Sequence, residues 1–378
     1  MIKRTLELQI REQLKKHKII HIPGPRQVGK TTLLSRISSY LENPILWLNG
    51  DETDVRTMLE NPTSTQLKQI IGNNKTLIID EAQRIQEIGI VLKLITDNIK
   101  TVNVIVTGSS AFELSAKINE PLTGRKIEMF LFPVSFSEMV ENSSFLEETR
   151  LLEHRMIYGY YPEVIISPGE EKRVLKSLTD AFLYKDLFAL EYIKKPGIIE
   201  KLLQALALQL GNEVSYNELS CLIGADKETV ERYINYLEQA YIVFKLDSLS
   251  RNLRNEIKKG KKIYFYDNGI RNSLIKNFNP LSLRNDTGHL WENFIISERI
   301  KKINYTDQWV NKYFWRTVAQ QEIDYIEEKD GVLYAFEFKW TEKKKAKFPE
   351  SFNKAYPGSK FNIVNKENYF DFISYNNK

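Results

Sequence analysis

Residues 19–34 read Ile19-Ile20-His21-Ile22-Pro23-Gly24-Pro25-Arg26-Gln27-Val28-Gly29-Lys30-Thr31-Thr32-Leu33-Leu34. A short apolar run, typical of a buried strand, leads into a loop with the spacing G-x-x-x-x-G-K-T and then into an apolar helical pattern. Gly24 and Gly29 allow backbone conformations that a side chain would hinder, so successive N–H groups can face an anion. The order of strand, loop and helix predicts a phosphate-binding loop.

The residues after the second glycine supply the charge and the hydroxyl that a nucleoside triphosphate requires. Lys30 would reach the β- and γ-phosphates, and Thr31 would ligate Mg²⁺. The positive end of the following helix would lie beneath the phosphates. The predicted nucleotide-binding residues are Gly24, Pro25, Arg26, Gln27, Val28, Gly29, Lys30, Thr31 and Thr32. The alternative is an ordinary glycine-containing turn between a strand and a helix.

A second apolar strand, residues 76–80, ends in two carboxylates, Asp80 and Glu81. In a buried parallel strand, acids are expected only where the strand emerges at its carboxyl end, which is also where ligands bind. Asp80 would hold Mg²⁺ through its water shell, and Glu81 would orient or deprotonate the attacking water. The alternative is a plain acid pair at a turn.

Two further polar positions follow in the same part of the chain. The apolar strand at residues 102–107 leads to Ser109 and Ser110, which would sense a γ-phosphate or simply cap a helix. Arg125 stands at the end of the next predicted helix. It would add positive charge to a neighbouring subunit's phosphates, which implies a homo-oligomer, or it would cap the helix dipole at the surface.

The composition indicates a folded protein of two or three domains, with 42% hydrophobic and 27% charged residues among 378. The net charge of +5 permits nucleic-acid binding without arguing for it. The single cysteine, Cys221, excludes an intramolecular disulfide and is expected to be buried. We find neither a secretory leader pattern nor an apolar run of membrane-spanning length, so we expect a cytoplasmic protein without a membrane partner.

The motifs G-P-R-Q-V-G-K-T, I-I-D-E-A-Q, T-G-S-S, L-T-G-R and F-P-V-S-F-S-E together resemble a group of bacterial and archaeal ATPases of the extended AAA class. The resemblance covers the whole chain, and this group also carries a poorly characterised C-terminal region. It implies ATP and Mg²⁺ as ligands of the loop and of Asp80, and Glu81 as the residue that activates water. It also implies Ser109 or Ser110 as the sensor and Arg125 as an arginine finger.

The middle of the chain shows helical spacing. Residues 137–195 are expected to form a helical lid after a nucleotide-binding core at residues 1–136. In residues 196–275, three predicted helices and two strands are typical of a winged helix, with basic residues between the strands that would contact DNA phosphates. The alternative is a winged helix that binds protein. These basic residues are Arg251, Arg254, Lys258, Lys259, Lys261 and Lys262.

Residues 276–378 are predicted to contain one helix and then three strands, with Asp324 on the second strand and Glu337 and Lys339 on the third. Period-two alternation places Glu337 and Lys339 on one face, where Asp324 would complete a site for a second divalent metal and Lys339 would activate water. Glu292, on the preceding helix, would supply a further acid. The family resemblance extends here and implies a restriction-endonuclease-like fold.

One departure from the expected pattern is Gln320-Gln321, which stands where a glycine would precede the strand of Asp324. An alternative for the Glu-x-Lys pair is a salt bridge on a solvated face. The leading hypothesis is an α/β P-loop ATPase whose ATP state controls a DNA-facing C-terminal half, with or without metal-dependent nuclease activity. The competing hypothesis is a nucleotide-gated DNA-binding regulator that cleaves nothing. A protein partner is left unassigned.

Overall fold

A computed structural model describes residues 2–16, 18–108, 122–181, 196–249, 260–317, 319–341 and 348–375. The chain divides into two compact units. The first comprises residues 1–133 with residues 239–241, and the second comprises residues 134–238 and 242–378. In the described part of the chain, no helix is both long and apolar enough to cross a membrane.

The first unit is built on a parallel sheet of five strands in the order β2-β3-β4-β1-β5. Strands β1 and β3 are buried at every residue, as expected for a parallel sheet covered on both faces. Strand β4 lies between them, so the carboxyl ends of all three meet at one edge. This confirms the predicted parallel sheet. The strands are β1 Ile19–Pro23, β2 Ile45–Asn49, β3 Thr76–Asp80, β4 Asn103–Gly108 and β5 Lys126–Glu128.

Five described α-helices accompany this sheet, and the start of α4 follows local capping chemistry. Thr63 accepts a hydrogen bond from the backbone N–H of Gln66, whose side chain bonds back to Thr63, so a capping box starts α4. Buried side chains of α4 and α5, such as Leu67 and Leu92, join the core cluster that contains Leu77 and Ile79 of β3. The helices are α1 Leu6–Leu14, α2 Lys30–Ile37, α3 Thr53–Met58, α4 Ser64–Ile71 and α5 Ile88–Asn98.

The second unit contains twelve described helices. The longest, α15, runs from Thr287 to Tyr305 and is buried over much of its length. Cys221 is exposed on α12, which corrects the expected buried thiol. The reason is geometric, since α12 buries Leu219 and Ile223 and Cys221 lies on the opposite side of the turn. The helices are α6 Phe136–Asn142, α7 Phe145–Arg150, α8 Leu152–Tyr158, α9 Pro162–Ile166, α10 Glu171–Ala181, α11 Pro196–Leu208, α12 Tyr216–Ile223, α13 Lys227–Gln239, α14 Asn268–Leu274, α15 Thr287–Tyr305, α16 Glu350–Ala355 and α17 Tyr369–Ile373.

These helices surround a seven-stranded mixed sheet in the order β12-β11-β10-β9-β7-β8-β6. Strands β6, β8 and β7 pair antiparallel, and so do β9, β10 and β11. The parallel pair β7 and β9 joins the two sets, with Asp247 opposite Tyr313 and Ser248 opposite Phe314. The strands are β6 Glu213–Val214, β7 Val243–Ser248, β8 Lys261–Phe265, β9 Asn311–Arg316, β10 Glu322–Lys329, β11 Val332–Phe338 and β12 Lys360–Val364.

The shared sheet bears on the expected domain organisation. Strands from the segments predicted as a winged helix and as a nuclease-like domain pair directly, and the chain from residue 134 forms one compact unit apart from residues 239–241. The domain boundaries expected at residues 195 and 275 stay predictions. Strand β12, parallel to β11, was not predicted. Gln320 adopts φ 63°, so a residue other than glycine takes the left-handed turn before β10.

Candidate functional site

The loop between β1 and α2 has the backbone that its two glycines predict. Gly29 has φ 93° and Gln27 has φ 59°, both in the left-handed region. When left-handed residues alternate with residues of negative φ, as Gln27 and Gly29 do around Val28, successive N–H groups turn toward one concave side. A Cβ atom added at Gly24 would overlap the backbone oxygen of Leu131, so only glycine fits there. The loop therefore has the shape that a phosphate-binding loop requires.

Lys30, the first residue of α2, is 5% exposed. Its ammonium group donates hydrogen bonds to the backbone oxygens of Gly24 at 2.9 Å and Pro25 at 2.8 Å. The Lys30 side chain therefore reaches back across the loop to its first residues, Gly24 and Pro25. Among the other predicted loop residues, Val28 is buried, whereas Gln27 and Thr32 are exposed.

Asp80, at the end of β3, is 2% exposed and lies beside the start of α2. Its carboxylate accepts a hydrogen bond from the Thr31 hydroxyl at 2.7 Å, a second from the Thr107 hydroxyl, and a third from the Glu81 N–H at 3.1 Å. The structure thus brings together two residues predicted separately, Thr31 and Asp80. A hydroxyl and a carboxylate are hard oxygen ligands, so this pair fits Mg²⁺.

Thr107 is a site residue that the sequence analysis did not assign. It lies near the end of β4, the strand between β1 and β3, and it is completely buried. Its hydroxyl fixes the orientation of Asp80. The available signal was a single hydroxyl residue closing the apolar run Val104-Ile105-Val106.

Glu81 follows Asp80 in the left-handed backbone conformation, with φ 50°. Its carboxylate accepts a hydrogen bond from the side-chain amide of Gln83. Glu81 therefore lies at the same sheet edge as Asp80, held by a neighbour two residues later. The predicted sensors Ser109 and Ser110 lie outside the described residues.

Arg125 lies at the other edge of the first unit's sheet. It immediately precedes β5, and its backbone oxygen accepts the N–H of Ile19, the first residue of β1. The phosphate loop follows the last residue of β1, so Arg125 and the loop stand at opposite ends of that strand. The guanidinium forms two bonds with the Asp97 carboxylate, at 2.8 and 3.2 Å. The structure does not bring Arg125 to the loop of its own chain.

The second unit gathers the residues predicted for a nuclease-like site. Asp324 lies on β10, Glu337 on β11, Lys339 directly after β11 and Glu292 on α15. The Lys339 ammonium is 2.5 Å from the Glu337 carboxylate. The Asp324 carboxylate accepts the N–H of Phe338 at 2.8 Å. Burial, and next the charge of Glu292, raise the pKa of Asp324 to about 7.

Two further residues enter this cluster from β8. Lys262, 1% exposed, lies 3.1 Å from Glu292 and 2.6 Å from Glu322. The Tyr264 hydroxyl donates to Glu292 at 2.5 Å. Although burial opposes its charge, the pKa of Lys262 is raised above the usual range by the carboxylates around it. This corrects the expectation that Lys262 contacts DNA phosphates, because its ammonium is enclosed by carboxylates.

The predicted second metal does not fit this arrangement. Glu292 is bonded to Lys262 and Tyr264, and Glu337 is paired with Lys339. Over the described ranges, no group of three or more His, Cys, Asp and Glu side chains is arranged to hold a metal ion. Lys261 is paired with Asp247 at 3.5 Å. The other predicted phosphate contacts, Arg251, Arg254, Lys258 and Lys259, lie outside the described residues.

Comparison with known proteins gives three family matches along the chain. Residues 16–140 match an AAA domain. Residues 149–281 match a domain of unknown function, DUF8612, and residues 287–376 match another domain of unknown function, DUF4143. The first match, together with the loop geometry, supports an extended-AAA P-loop ATPase, the class that the motifs predict.

The chain is also similar, over most of its length, to two uncharacterized proteins. An uncharacterized protein of Haemophilus influenzae is 25% identical over 356 residues, covering 88% of this chain and 86% of that protein. An uncharacterized protein of Mycobacterium tuberculosis is 25% identical over 343 residues, covering 90% of this chain and 74% of that protein. A solved structure, a signal transduction ATPase with a tetratricopeptide repeat sensor from Pyrococcus horikoshii, is 11% identical, covers 81% of this chain and 48% of that chain, and has a TM-score of 0.31. That TM-score is too low to show a shared fold.

Proposed function

We propose that this protein binds ATP with Mg²⁺ in its first unit, hydrolyses it, and uses the nucleotide state to control its second unit. The observation that carries the proposal is the bond between Thr31 of the phosphate loop and Asp80 of β3. A P-loop ATPase holds Mg²⁺ with a hydroxyl and a carboxylate of this kind, and their contact here supports the proposal. The AAA-domain match over residues 16–140 supports the same function.

Each residue of the loop edge then has a distinct task. Lys30 exchanges its two backbone partners for the β- and γ-phosphates, which gives it stronger, charge-assisted bonds. Thr31 and Asp80 would hold Mg²⁺, which when bound neutralises charge on the phosphate oxygens. Glu81 orients the attacking water and accepts its proton. Thr107 keeps the Asp80 carboxylate turned toward Thr31.

The proposal is tested by ATP binding and phosphate release in four proteins. The unaltered protein should turn over ATP, and Lys30→Ala should abolish turnover and weaken ATP binding. Glu81→Gln should retain ATP binding while losing about 10²–10⁴-fold in turnover, the usual contribution of a general base. Lys18→Ala, an exposed lysine in the same unit, is the matched control. Unchanged turnover in Lys30→Ala would refute the loop assignment.

The same proposal includes Ser109 or Ser110 as the sensor of the γ-phosphate and Arg125 as an arginine finger. Because Arg125 stands at the far edge of the sheet, we propose that it acts on the nucleotide of a neighbouring subunit, after leaving Asp97. This requires a homo-oligomer. Mass measurement with and without ATP tests it: assembly should appear with ATP. A monomer that hydrolyses ATP at full rate, and whose Arg125→Ala variant is unaffected, would exclude a role in trans.

For the second unit we propose DNA binding by a winged helix at residues 196–275 fused to a restriction-endonuclease-like fold at residues 276–378. The order of α11, α12 and α13 followed by the antiparallel pair β7 and β8 supports the winged helix. The proximity of Asp324, Glu337 and Lys339 supports the nuclease-like fold. DNA affinity should fall steeply with salt. A flat response would argue that the basic residues of this unit contact protein or nothing.

A specific observation favours the non-cleaving alternative, a nucleotide-gated DNA-binding regulator. Lys262 forms ion pairs with Glu292 and Glu322 beside Asp324. The negative charge of these acids is therefore already balanced by the protein's own cation. Plasmid DNA should therefore remain intact with Mg²⁺ or Mn²⁺. Metal-dependent cleavage that disappears in both Asp324→Ala and Glu337→Ala would overturn this alternative and establish the nuclease.

A further inference from the structure

We propose that Arg4 is a positioning residue for the nucleotide, because it fixes the orientation of one peptide group in the phosphate loop. The inference rests on the proposed ATP-binding function. Arg4 lies just before α1 and is 6% exposed. Its guanidinium donates one hydrogen bond to the backbone oxygen of Val28 at 3.0 Å and another to that of Phe132 at 2.6 Å.

The bond to Val28 determines where the next N–H points. In a planar trans peptide, the carbonyl and the N–H of the following residue point in opposite directions. Since the Val28 oxygen is held toward Arg4, the N–H of Gly29 is turned away from Arg4. Gly29, with φ 93°, belongs to the left-handed alternation that makes a concave anion site. In such loops these N–H groups hold the α- and β-phosphates.

Without the guanidinium, this peptide could turn over. Its oxygen would then face the phosphates and repel them, and one N–H donor would be lost. Gly29 has no side chain to oppose such a rotation. The buried Arg4 thus stabilises the one of two peptide orientations that can accept an anion.

The second bond ties the loop to the segment that contains Phe132. Phe132 follows Leu131, whose N–H donates to Pro23 at 2.8 Å and whose oxygen lies against Gly24. Arg4 therefore connects the last part of the loop to the segment that flanks its first part. Its own backbone N–H is held by Glu7 at 2.9 Å. This position fits a residue that stabilises the loop before nucleotide arrives.

The test compares Arg4→Met and Arg4→Lys with Arg11→Met, an exposed arginine of α1. ADP and ATP dissociation constants are measured well below the unfolding temperature, together with KM and kcat. For Arg4→Met we expect both dissociation constants and KM to rise about tenfold, with kcat changed less than about twofold, the pattern of lost uniform binding. Arg4→Lys, which can reach one carbonyl at a time, should be intermediate. Arg11→Met should match the unaltered protein.

ADP separates this effect from that of Lys30, since the N–H groups hold phosphates that ADP retains. Lys30→Ala should weaken ATP binding more than ADP binding, whereas Arg4→Met should weaken both equally. A lowered melting temperature with unchanged affinities would overturn the inference and leave Arg4 a structural residue. If Arg4→Met does not fold, Arg4→Lys decides by the same criterion. Failure of the unaltered protein to bind ADP or ATP would instead refute the proposed function, and this inference with it.

Discussion

Replacing Lys262 by methionine should destabilise the second unit strongly. Methionine keeps the length of the apolar stem, so the change removes mainly the positive charge. Glu292, with a side chain 10% exposed, would then be left buried without the Lys262 ammonium, keeping the Tyr264 hydroxyl as a hydrogen-bond donor and the His289 Nδ1 at 4.0 Å. Removing one partner of a buried ion pair typically costs about 3–5 kcal/mol.

Losing the pair with the second carboxylate, Glu322, costs less free energy of unfolding. Glu322 is 31% exposed, so water can solvate it after the ammonium is lost, and its pairing is worth closer to the ~1 kcal/mol of an exposed pair. Burial of Lys262 against Phe314, whose ring centre is 5.6 Å from the ammonium, is largely preserved by methionine. We therefore expect a loss of about 4–6 kcal/mol. For a unit of this size that corresponds to a fall of about 15 °C in melting temperature.

Tryptophan fluorescence is a suitable assay because four of the five tryptophans lie in the second unit. The matched control is Lys261→Met on the same strand, since its partner Asp247 is 54% exposed and the pair should contribute less than about 1 kcal/mol. The double variant Lys262→Met with Glu292→Gln should be more stable than Lys262→Met alone, because the Glu292 carboxylate that lost its cation is then replaced by a neutral amide. Equal effects of the Lys262 and Lys261 variants, or strict additivity with Glu292→Gln, would refute the reasoning.

Three further outcomes are expected. Gly24→Ala should weaken ATP binding by about tenfold or more, measured by titration, because the added methyl overlaps the backbone oxygen of Leu131. Thr107→Val should raise the Mg²⁺ concentration needed for half-maximal turnover, because Asp80 loses a hydrogen bond; an unchanged Mg²⁺ requirement would contradict the role of Thr107. Burial would raise the pKa of Asp286, but hydrogen bonds from its two arginine partners lower the pKa to about 2, below its unfolded value. Its stabilisation is therefore present above pH ~4 and lost as the pH falls toward ~2, so the stability gap to Asp286→Asn in urea unfolding should be about 2 kcal/mol at neutral pH and vanish in acid.

The phosphate loop was predictable from sequence because its chemistry is local. A phosphate loop of this type requires its glycines, its lysine and its threonine at a fixed spacing, which is visible in the sequence. The residues here are Gly24, Gly29, Lys30 and Thr31. The bond from Thr31 to Asp80 required only that both residues end at the same edge of a parallel sheet. The role of Thr107 carries no spacing signal, since a hydroxyl at a strand end also occurs as a simple cap.

Lys262 shows why the second unit was harder to predict. In sequence it belongs to a run of basic residues, and such a run is usually solvated. Its burial depends on Glu292 and Glu322, which lie at least thirty residues later and come from a helix and another strand. Strand β12 was missed for a similar reason, because it is only five residues long and, among the described strands, pairs with β11 at the edge of the sheet. These features arise from pairing across the sheet and from no local pattern.

The parallel ladder between β7 and β9 has a consequence for how the protein is made. Asp247 and Ser248 find their partners, Tyr313 and Phe314, only after more than sixty further residues have left the ribosome. Until then one side of β7 presents unpaired N–H and oxygen groups, which in other proteins promote aggregation. A nascent chain that stalls before β9 would expose this edge. Chaperone dependence should therefore be greatest for fragments that end between residues 250 and 310.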